Sequence, residues 1–567
     1  MKRSLALAAL TLLAATGLSG CGSATDTINT ETTPVAVYDT LTEASQSSAN
    51  GLNANSADTV ATAAANDVFT YDGSTFTNNA GGYTISVPNG LDVVDMGDAT
   101  CRSTLANDNM RLEIFTQTLG DDVGADTYLN YSNRFLENTW DFTITYDKAI
   151  DDTLGGQATH YLTWERRALA RVDNDRNYYG LVDIVQGKNV YCFLLTSTEP
   201  ISADTLRALA ASFESFTPTV EAKEYPRQPR QRDDLTAETQ AFYDRIFSED
   251  AELTWGLFEP SVSGESTRGL LDVQKELSHR FEIVLCYSNI YEDYTENNIY
   301  NTLNRLWEEN SSVVELTLQT QLYDPLTQNN MVYDILDGKY DDFLHAYAAD
   351  VARFGHPVLF RPFNEMNGDW CNYSAYWTAR DCSTYVELYR YIYSIFEEEG
   401  ANKNTLWVWN PNEKSFPAFA WNNGDNYYPG DEYVDIVGLT GYNTGDYYDG
   451  ETWRTFDEIY DPVYAQMAPQ YEQPLMITEF ACSSYGGDKA AWVEDMFEQL
   501  ENYPRIKAAV WWDSADKDTQ GNIARAYYID NDQGALKIFK EHLHQDDYKE
   551  NPRERTAALL KPYNINA

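Results

Sequence analysis

The sequence predicts an α/β chain with a C-terminal (β/α)8 TIM barrel, preceded by a small α+β domain and a disordered tether. Three observations point there. Eight short apolar runs after residue 235 start roughly 30 to 50 residues apart, the length of one strand-and-helix unit, and eight such units close a barrel. The stretches between them, among them Tyr340 to Phe354, Ser383 to Glu399 and Lys489 to Leu500, carry apolar residues at helical spacing. Two of the runs lead into a glutamate, and a parallel barrel gathers its functional side chains at the C-terminal ends of its strands.

The eight runs are Leu253 to Phe258, Glu282 to Tyr287, Val313 to Gln319, Pro357 to Phe363, Thr405 to Pro411, Val434 to Leu439, Pro474 to Phe480 and Ile506 to Trp512. On this count Glu365 ends strand four and Glu479 ends strand seven. Charged residues at the ends of apolar strands are costly unless they are used. Two carboxylates at one barrel face suit glycoside hydrolysis, where one protonates the leaving oxygen and the other attacks or activates water.

Ahead of the barrel the chain changes character four times. Lys2 and Arg3 precede the run Leu5 to Leu13, too short to span a bilayer as a mature helix, and Leu18-Ser-Gly-Cys21 follows. This segment, residues 1–20, resembles a bacterial lipoprotein signal. The resemblance implies cleavage before Cys21, lipidation of Cys21, and an extracytoplasmic protein at the cell surface or in the periplasm. Residues 21–66 are rich in Ala, Thr, Ser, Asn and Asp, too polar to repay ordering, and read as a tether of roughly 100 Å or more when extended. Residues 67–218 alternate in strand fashion at Tyr83 to Val87, Arg111 to Phe115, Thr159 to Thr163, Leu181 to Val185 and Val190 to Leu194. Helical patterns at Thr127 to Glu137 and Ala203 to Phe213 make this piece α+β, with a spacer or sugar-binding role expected. Asp173 to Asn177 reads as a hairpin turn, with a calcium loop the alternative. Residues 219–234, with Pro226 and Pro229, read as a polar linker, and 235–567 as the barrel domain.

Composition narrows the partner. A formal charge of -48 over 567 residues would repel nucleic acid and anionic membrane, so the only expected membrane contact is the lipid anchor. Neutral polymers remain. The 41 Tyr and 13 Trp suit flat, weakly polar faces such as sugar rings, although most aromatics are core. No Cys and His cluster has zinc spacing, so neither metal nor cofactor is expected. Beyond Cys21, Cys101 with Cys192 and Cys371 with Cys382 are the candidate disulfides, and Cys286 and Cys482 read as buried thiols.

Four motifs occur in order: Arg361 to Trp370, Trp407 to Asn412, Tyr428 to Gly438 and Leu475 to Phe480. Together they resemble glycoside hydrolase family 26, the β-mannanase family of the large retaining (β/α)8 clan, over about residues 235 to 545. The resemblance implies Glu365 as acid/base and Glu479 as nucleophile. It also implies Tyr442 hydrogen-bonded to the nucleophile, Arg361 at the barrel rim paired with Glu479, and Trp370 against a sugar beside the cleavage point. Trp409 and Trp512, at the ends of strands five and eight, read as further sugar-stacking faces. One residue departs from the pattern. Family mannanases commonly have His before the acid/base, whereas Asn364 is the residue usual in the rest of the clan, and an amide there would donate to a substrate 2-hydroxyl. The expectation is a retaining endo-β-glycanase acting on a plant-type polysaccharide, β-1,4-mannan first. A mixed-linkage β-glucanase or xylanase is the same-fold alternative, and a catalytically dead carbohydrate-binding lipoprotein the alternative of another class.

Overall fold

The computed structural model describes residues 68–95, 102–121, 123–154, 157–220, 226–264, 266–291, 294, 298–321 and 329–563. The expected signal segment and tether, with Cys21, and also Cys101 lie outside the described residues.

The N-terminal unit contains two antiparallel sheets. Strands β1 (Phe69–Tyr71), β2 (Thr75–Asn78) and β3 (Tyr83–Ser86) form the smaller. The larger sheet contains β4 (Asp92–Asp95), β5 (Arg102–Ala106), β6 (Met110–Thr118), β7 (Thr143–Leu154), β8 (Gln157–Glu165), β9 (Tyr178–Gln186) and β10 (Asn189–Ser197), in the order β4-β5-β6-β10-β9-β8-β7. Helix α1 (Ala125–Ser132) lies between β6 and β7, α2 (Ala203–Ala211) follows β10, and β11 (Glu214–Ser215) closes the smaller sheet beside β3. The loop with Asp173 to Asn177 joins the antiparallel pair β8 and β9, and the Arg166 guanidinium grips the Asp175 carboxylate there with two bonds of 2.7 Å.

Strand β9 is buried on both faces, and its two-residue period sorts them. Val182 and Ile184 share a core with Leu206 and Leu209 of α2, whereas Tyr179, Leu181 and Val185 join the core that continues into the barrel. The unit is therefore docked on the barrel.

After α3 (Ala237–Phe247), eight parallel strands close into a barrel: β12 (Thr254–Phe258), β13 (Ile283–Asn289), β14 (Val313–Gln319), β15 (Val358–Pro362), β16 (Thr405–Trp409), β17 (Ile436–Thr440), β18 (Leu475–Phe480) and β19 (Ile506–Trp512). Each falls within or beside one of the eight apolar runs. The outer layer includes α4 (Arg268–Leu277), α5 (Asn298–Asn310), α6 (Met331–Leu336), α7 (Asp341–Phe354), α8 (Cys382–Glu398), α9 (Phe456–Gln470), α10 (Lys489–Leu500) and α11 (Gln533–Leu543). Local capping fixes where several begin. Asp381, Asp488 and Asp532 accept from backbone N–H groups at the starts of α8, α10 and α11, and Thr455 with Glu458 forms a capping box on α9. From Arg227 onward the expected linker is fastened to the barrel. Arg227 is buried with its guanidinium 4.3 Å from the Tyr428 ring, and Arg232 pairs with buried Asp435 at 2.9 Å.

One bond between the two units is ionic and fully buried. Arg380, in the segment between β15 and α8, donates to both Asp183 oxygens on β9 at 3.1 and 3.2 Å, to the Ser132 carbonyl at 2.9 Å and to Asn133 Oδ1 at 2.7 Å. Burial opposes ionisation of Asp183, yet Arg380 and His160 hold its carboxyl down at about 2. Removing one partner of such a pair strands the other charge. Arg380→Met should lower unfolding free energy by about 3 to 5 kcal/mol in denaturant titrations of the full chain. A change below about 1 kcal/mol would mean the units do not depend on this pair.

Candidate active site

Glu479 enters the barrel through an irregularity that no periodicity reveals. Strand β18 slips register against β17 between Leu439 and Thr440, and against β19 between Ile477 and Phe480, so at this point it carries an extra residue relative to both neighbours. Such a bulge re-aims side chains. It lets Thr478 reach the Thr440 hydroxyl, at 3.2 Å, while the next residue, Glu479, meets Arg361. Gly438 makes room for this layer, since a Cβ there would lie 2.6 Å from Thr478 and 2.8 Å from Asn410.

Arg361 is buried in the barrel interior beneath the site. It donates to Glu479 Oε2 at 2.8 Å, Asn410 Oδ1 at 3.0 Å and Thr317 Oγ1 at 2.9 Å, and its Nε lies 3.0 Å from Glu315 Oε1. Burial pushes the Glu315 carboxyl up to about 8, Arg361 pulling it down and Glu479 pushing it further up. At neutral pH Glu315 is thus protonated, and the Arg361 charge is left facing Glu479. Burial disfavours the guanidinium charge as well, but Glu479 and Glu315 more than compensate, and its pKa lies well above the ordinary value. A second donor, the Tyr287 hydroxyl in the C-terminal half of β13, also reaches Glu479 Oε2.

Tyr287 therefore has the contact expected of Tyr442. Tyr442 stands close enough for Glu479 to add to the upward push that burial gives its phenol, but among the described residues no hydrogen bond joins the two. Tyr287 closes the second apolar run. A strand-tip tyrosine there was visible in the sequence, but not which tyrosine would cross to the nucleophile.

Strand β15 stops at Pro362, so Glu365 sits in the following loop rather than on the strand. Phe363 and Glu365 both have φ of 55°, a left-handed conformation uncommon for side chains other than Gly and Asn. Backbone bonds hold them there: Phe363 N donates to Leu318 O at 2.8 Å, and Glu365 N to Asn410 O at 2.7 Å. The Glu365 carboxyl receives Asn412 Nδ2 at 2.6 Å and Trp370 Nε1 at 3.1 Å. Burial, then the Glu479 charge, pushes it up to about 7 against the pull of these donors and of Arg361. The two carboxyls are thus set differently by their surroundings.

The remaining expected residues divide. Asn364 is buried beside Glu365, its Oδ1 receiving Gln319 Nε2 at 3.0 Å, so the amide is oriented by the tip of β14. Trp370 packs on Phe416 with ring centroids 5.1 Å apart. Trp512 stacks on Phe258 at 5.3 Å and meets the Tyr442 ring edge-on at 6.3 Å, so it belongs to the floor around the site. Trp409 does not. It is fully buried between Tyr428 and Tyr471, at 5.2 and 5.4 Å, and is core. Strand alternation explains this, because the adjacent Asn410 faces inward to Arg361.

The proposed Cys371–Cys382 disulfide is absent: both are thiols, Cys371 donating to Asn364 O and Cys382 to Trp421 O. Cys192 is likewise a buried thiol, 3.6 Å from Arg380 Nη1, as are Cys286 and Cys482. Among the described residues no group of three His, Cys, Asp or Glu side chains is placed to hold a metal ion.

Residues 327–510, which include both glutamates, match the sequence model of Glycosyl hydrolase family 26. Endoglucanase H of Acetivibrio thermocellus is 33% identical over 221 residues, 38% of this chain and 23% of that protein. A mannan endo-1,4-beta-mannosidase of Bacillus subtilis is 35% identical over 223 residues, 36% of this chain and 55% of that protein. The chain thus covers about half of one relative and a quarter of the other. A solved Bacillus subtilis mannanase, man26, aligns over 56% of this chain and 93% of its own length at 18% identity, with a TM-score of 0.39. The motifs that carried the resemblance lie inside the matched segment, so residues 327–510 of the barrel are similar to glycosyl hydrolase family 26.

Proposed function

We propose that the chain is a retaining endo-β-glycanase cleaving a neutral polysaccharide, with β-1,4-mannan its first substrate. One observation carries the reading: two carboxyls share a barrel face in opposite settings, Glu479 under a guanidinium and a hydroxyl, Glu365 with its proton kept by burial. In the first step Glu365 gives that proton to the glycosidic oxygen as Glu479 attacks the anomeric carbon. The bond to the leaving sugar breaks as the glycosyl ester forms. Because Arg361 and Tyr287 both occupy Oε2, Oε1 is the attacking oxygen.

Esterification removes the Glu479 charge, one of the causes of the raised Glu365 pKa, so Glu365 becomes a stronger acid and, deprotonated, a base. It then takes a proton from water, whose oxygen displaces Glu479 and restores the original anomeric configuration. Trp370, half-buried beside the proton donor, suits a sugar face and also orients Glu365.

A second reading, β-glucan as substrate, draws on Asn364 and on the similarity to endoglucanase H. An amide there donates to an equatorial 2-hydroxyl, whereas the mannose 2-hydroxyl is axial. The carbohydrate-binding alternative would leave the donors around both glutamates without use.

A reducing-end assay on mannan, mixed-linkage β-glucan and xylan across pH distinguishes these readings. Mannan should be cleaved with the highest kcat/KM. Because the raised pKa makes protonated Glu365 the active form, kcat/KM should fall about tenfold per unit as pH rises beyond about 7. Turnover on glucan alone would move the substrate to the second reading, and no turnover at high enzyme loading would favour a binding protein.

We also propose that Cys21 anchors the protein to a membrane outside the cytoplasm, on the strength of the segment before it. Among the described residues no helix is long and apolar enough to cross a membrane. Cys21→Ser should release active protein from the membrane fraction, and unchanged retention would contradict the anchor.

A further inference from the structure

The N-terminal unit meets the barrel on the loop that carries the proton donor. Between Pro362 and α8, this loop is fastened to that unit at three places. The Tyr131 hydroxyl of α1 donates to the Asp369 carboxylate, Arg380 pairs with Asp183, and the Tyr179 hydroxyl donates to Asp381 Oδ2 at 2.9 Å. Asp369 is the residue before Trp370, and its carbonyl accepts from Trp377 Nε1 at 2.7 Å. Trp370 folds back over Gly368, where a Cβ would lie 2.5 Å from the indole, and so delivers Nε1 to Glu365.

The neighbouring loop is held from the same side. Phe416 packs on Trp370, while Phe419 lies 4.7 Å from the Tyr128 ring and 6.3 Å from the Tyr131 ring. The Ala420 amide donates to Gln117 Oε1 of β6 at 2.7 Å. Both segments that grip the Trp370 indole are thus anchored to α1 and β6 rather than to the barrel alone.

We propose that the N-terminal unit is a working part of the catalytic site, with Tyr131 a positioning residue that acts through Asp369 on Trp370 and so on Glu365. The proposal rests on the reading of Glu365 as acid/base. A hydrogen bond to a reacting carboxyl demands placement finer than an unsupported loop provides, and misplacement by 1 Å can cost about a hundredfold in rate.

The test compares Tyr131→Phe, Trp370→Phe and the double variant in the full chain. The Trp370 bond is one of the pulls that lower the Glu365 pKa, alongside Asn412 and Arg361 and against burial and Glu479. Tyr442 also faces this carboxyl, and on the other side Arg134 lies near Tyr131 and Tyr376. Loosening Trp370 should therefore move the pH midpoint of its emission, read as the difference from the Trp370→Phe protein, upward by about half a unit. It should also lower kcat about tenfold with a smaller change in KM. In the Trp370→Phe background, Tyr131→Phe should have no further effect on kcat. Should Tyr131→Phe fail to fold, Asp369→Asn, which weakens the same acceptor, carries the comparison. An unmoved midpoint, or independent multiplying effects of the two substitutions, would overturn the proposal. A wild type inactive on every glycan would overturn the functional reading instead, and the emission midpoint would still decide this one.

Discussion

A guanidinium inside a barrel is the constraint on which the rest of this site depends. Arg361 is out of contact with water, where an unpaired charge is prohibitively unfavourable, so the fold must supply anions and acceptors around it. Glu479, Glu315, Thr317 and Asn410 do so. With Glu315 protonated at neutral pH, one positive charge faces one negative charge, and that negative charge is the proposed nucleophile. The bulge in β18 and the bare Cα of Gly438 follow from the same need, because Glu479 must reach inward beside Thr478.

The charge on Glu479 in turn influences Glu365. Burial alone disfavours ionisation of Glu365, and the neighbouring carboxylate disfavours it further, while Asn412, Trp370 and Arg361 set a limit near neutrality. The strained backbone at Phe363 and Glu365 is kept by bonds to β14 and to Asn410. Beyond them, the loop is kept by the N-terminal unit. Charge, proton and loop position are thus one linked problem, with its solution spread over both units of the chain.

Much of this was legible in the sequence. The eight barrel runs were visible because each strand is apolar and short, and Glu365 and Glu479 stood out as charges where such runs end. What escaped was governed by geometry that has no period. The bulge at Thr478 and Glu479 cannot be read from alternation. Trp409 looked like a cleft residue because the inward or outward sense of a barrel strand is set by register. Tyr287 and Tyr442 are both tyrosines at strand tips, and only the tilt of the closed barrel decides which hydroxyl reaches Glu479. Cys371 and Cys382 were a candidate disulfide, yet the loop between them turns the thiols to different carbonyls. The docking of the N-terminal unit hid in β9, whose two apolar faces read as one ordinary strand until each face was matched to its own core.

In the proposed mechanism Glu479, held by Arg361 and Tyr287, forms a covalent bond to sugar. A 2-deoxy-2-fluoro glycosyl fluoride of the preferred substrate sugar slows both steps but retains a good leaving group, so the ester accumulates. Mass spectrometry of the digested, inactivated protein should find one fluoroglycosyl group on the peptide spanning Leu475 to Phe480, at Glu479. Label on another carboxylate, or inactivation without covalent attachment, would contradict the account.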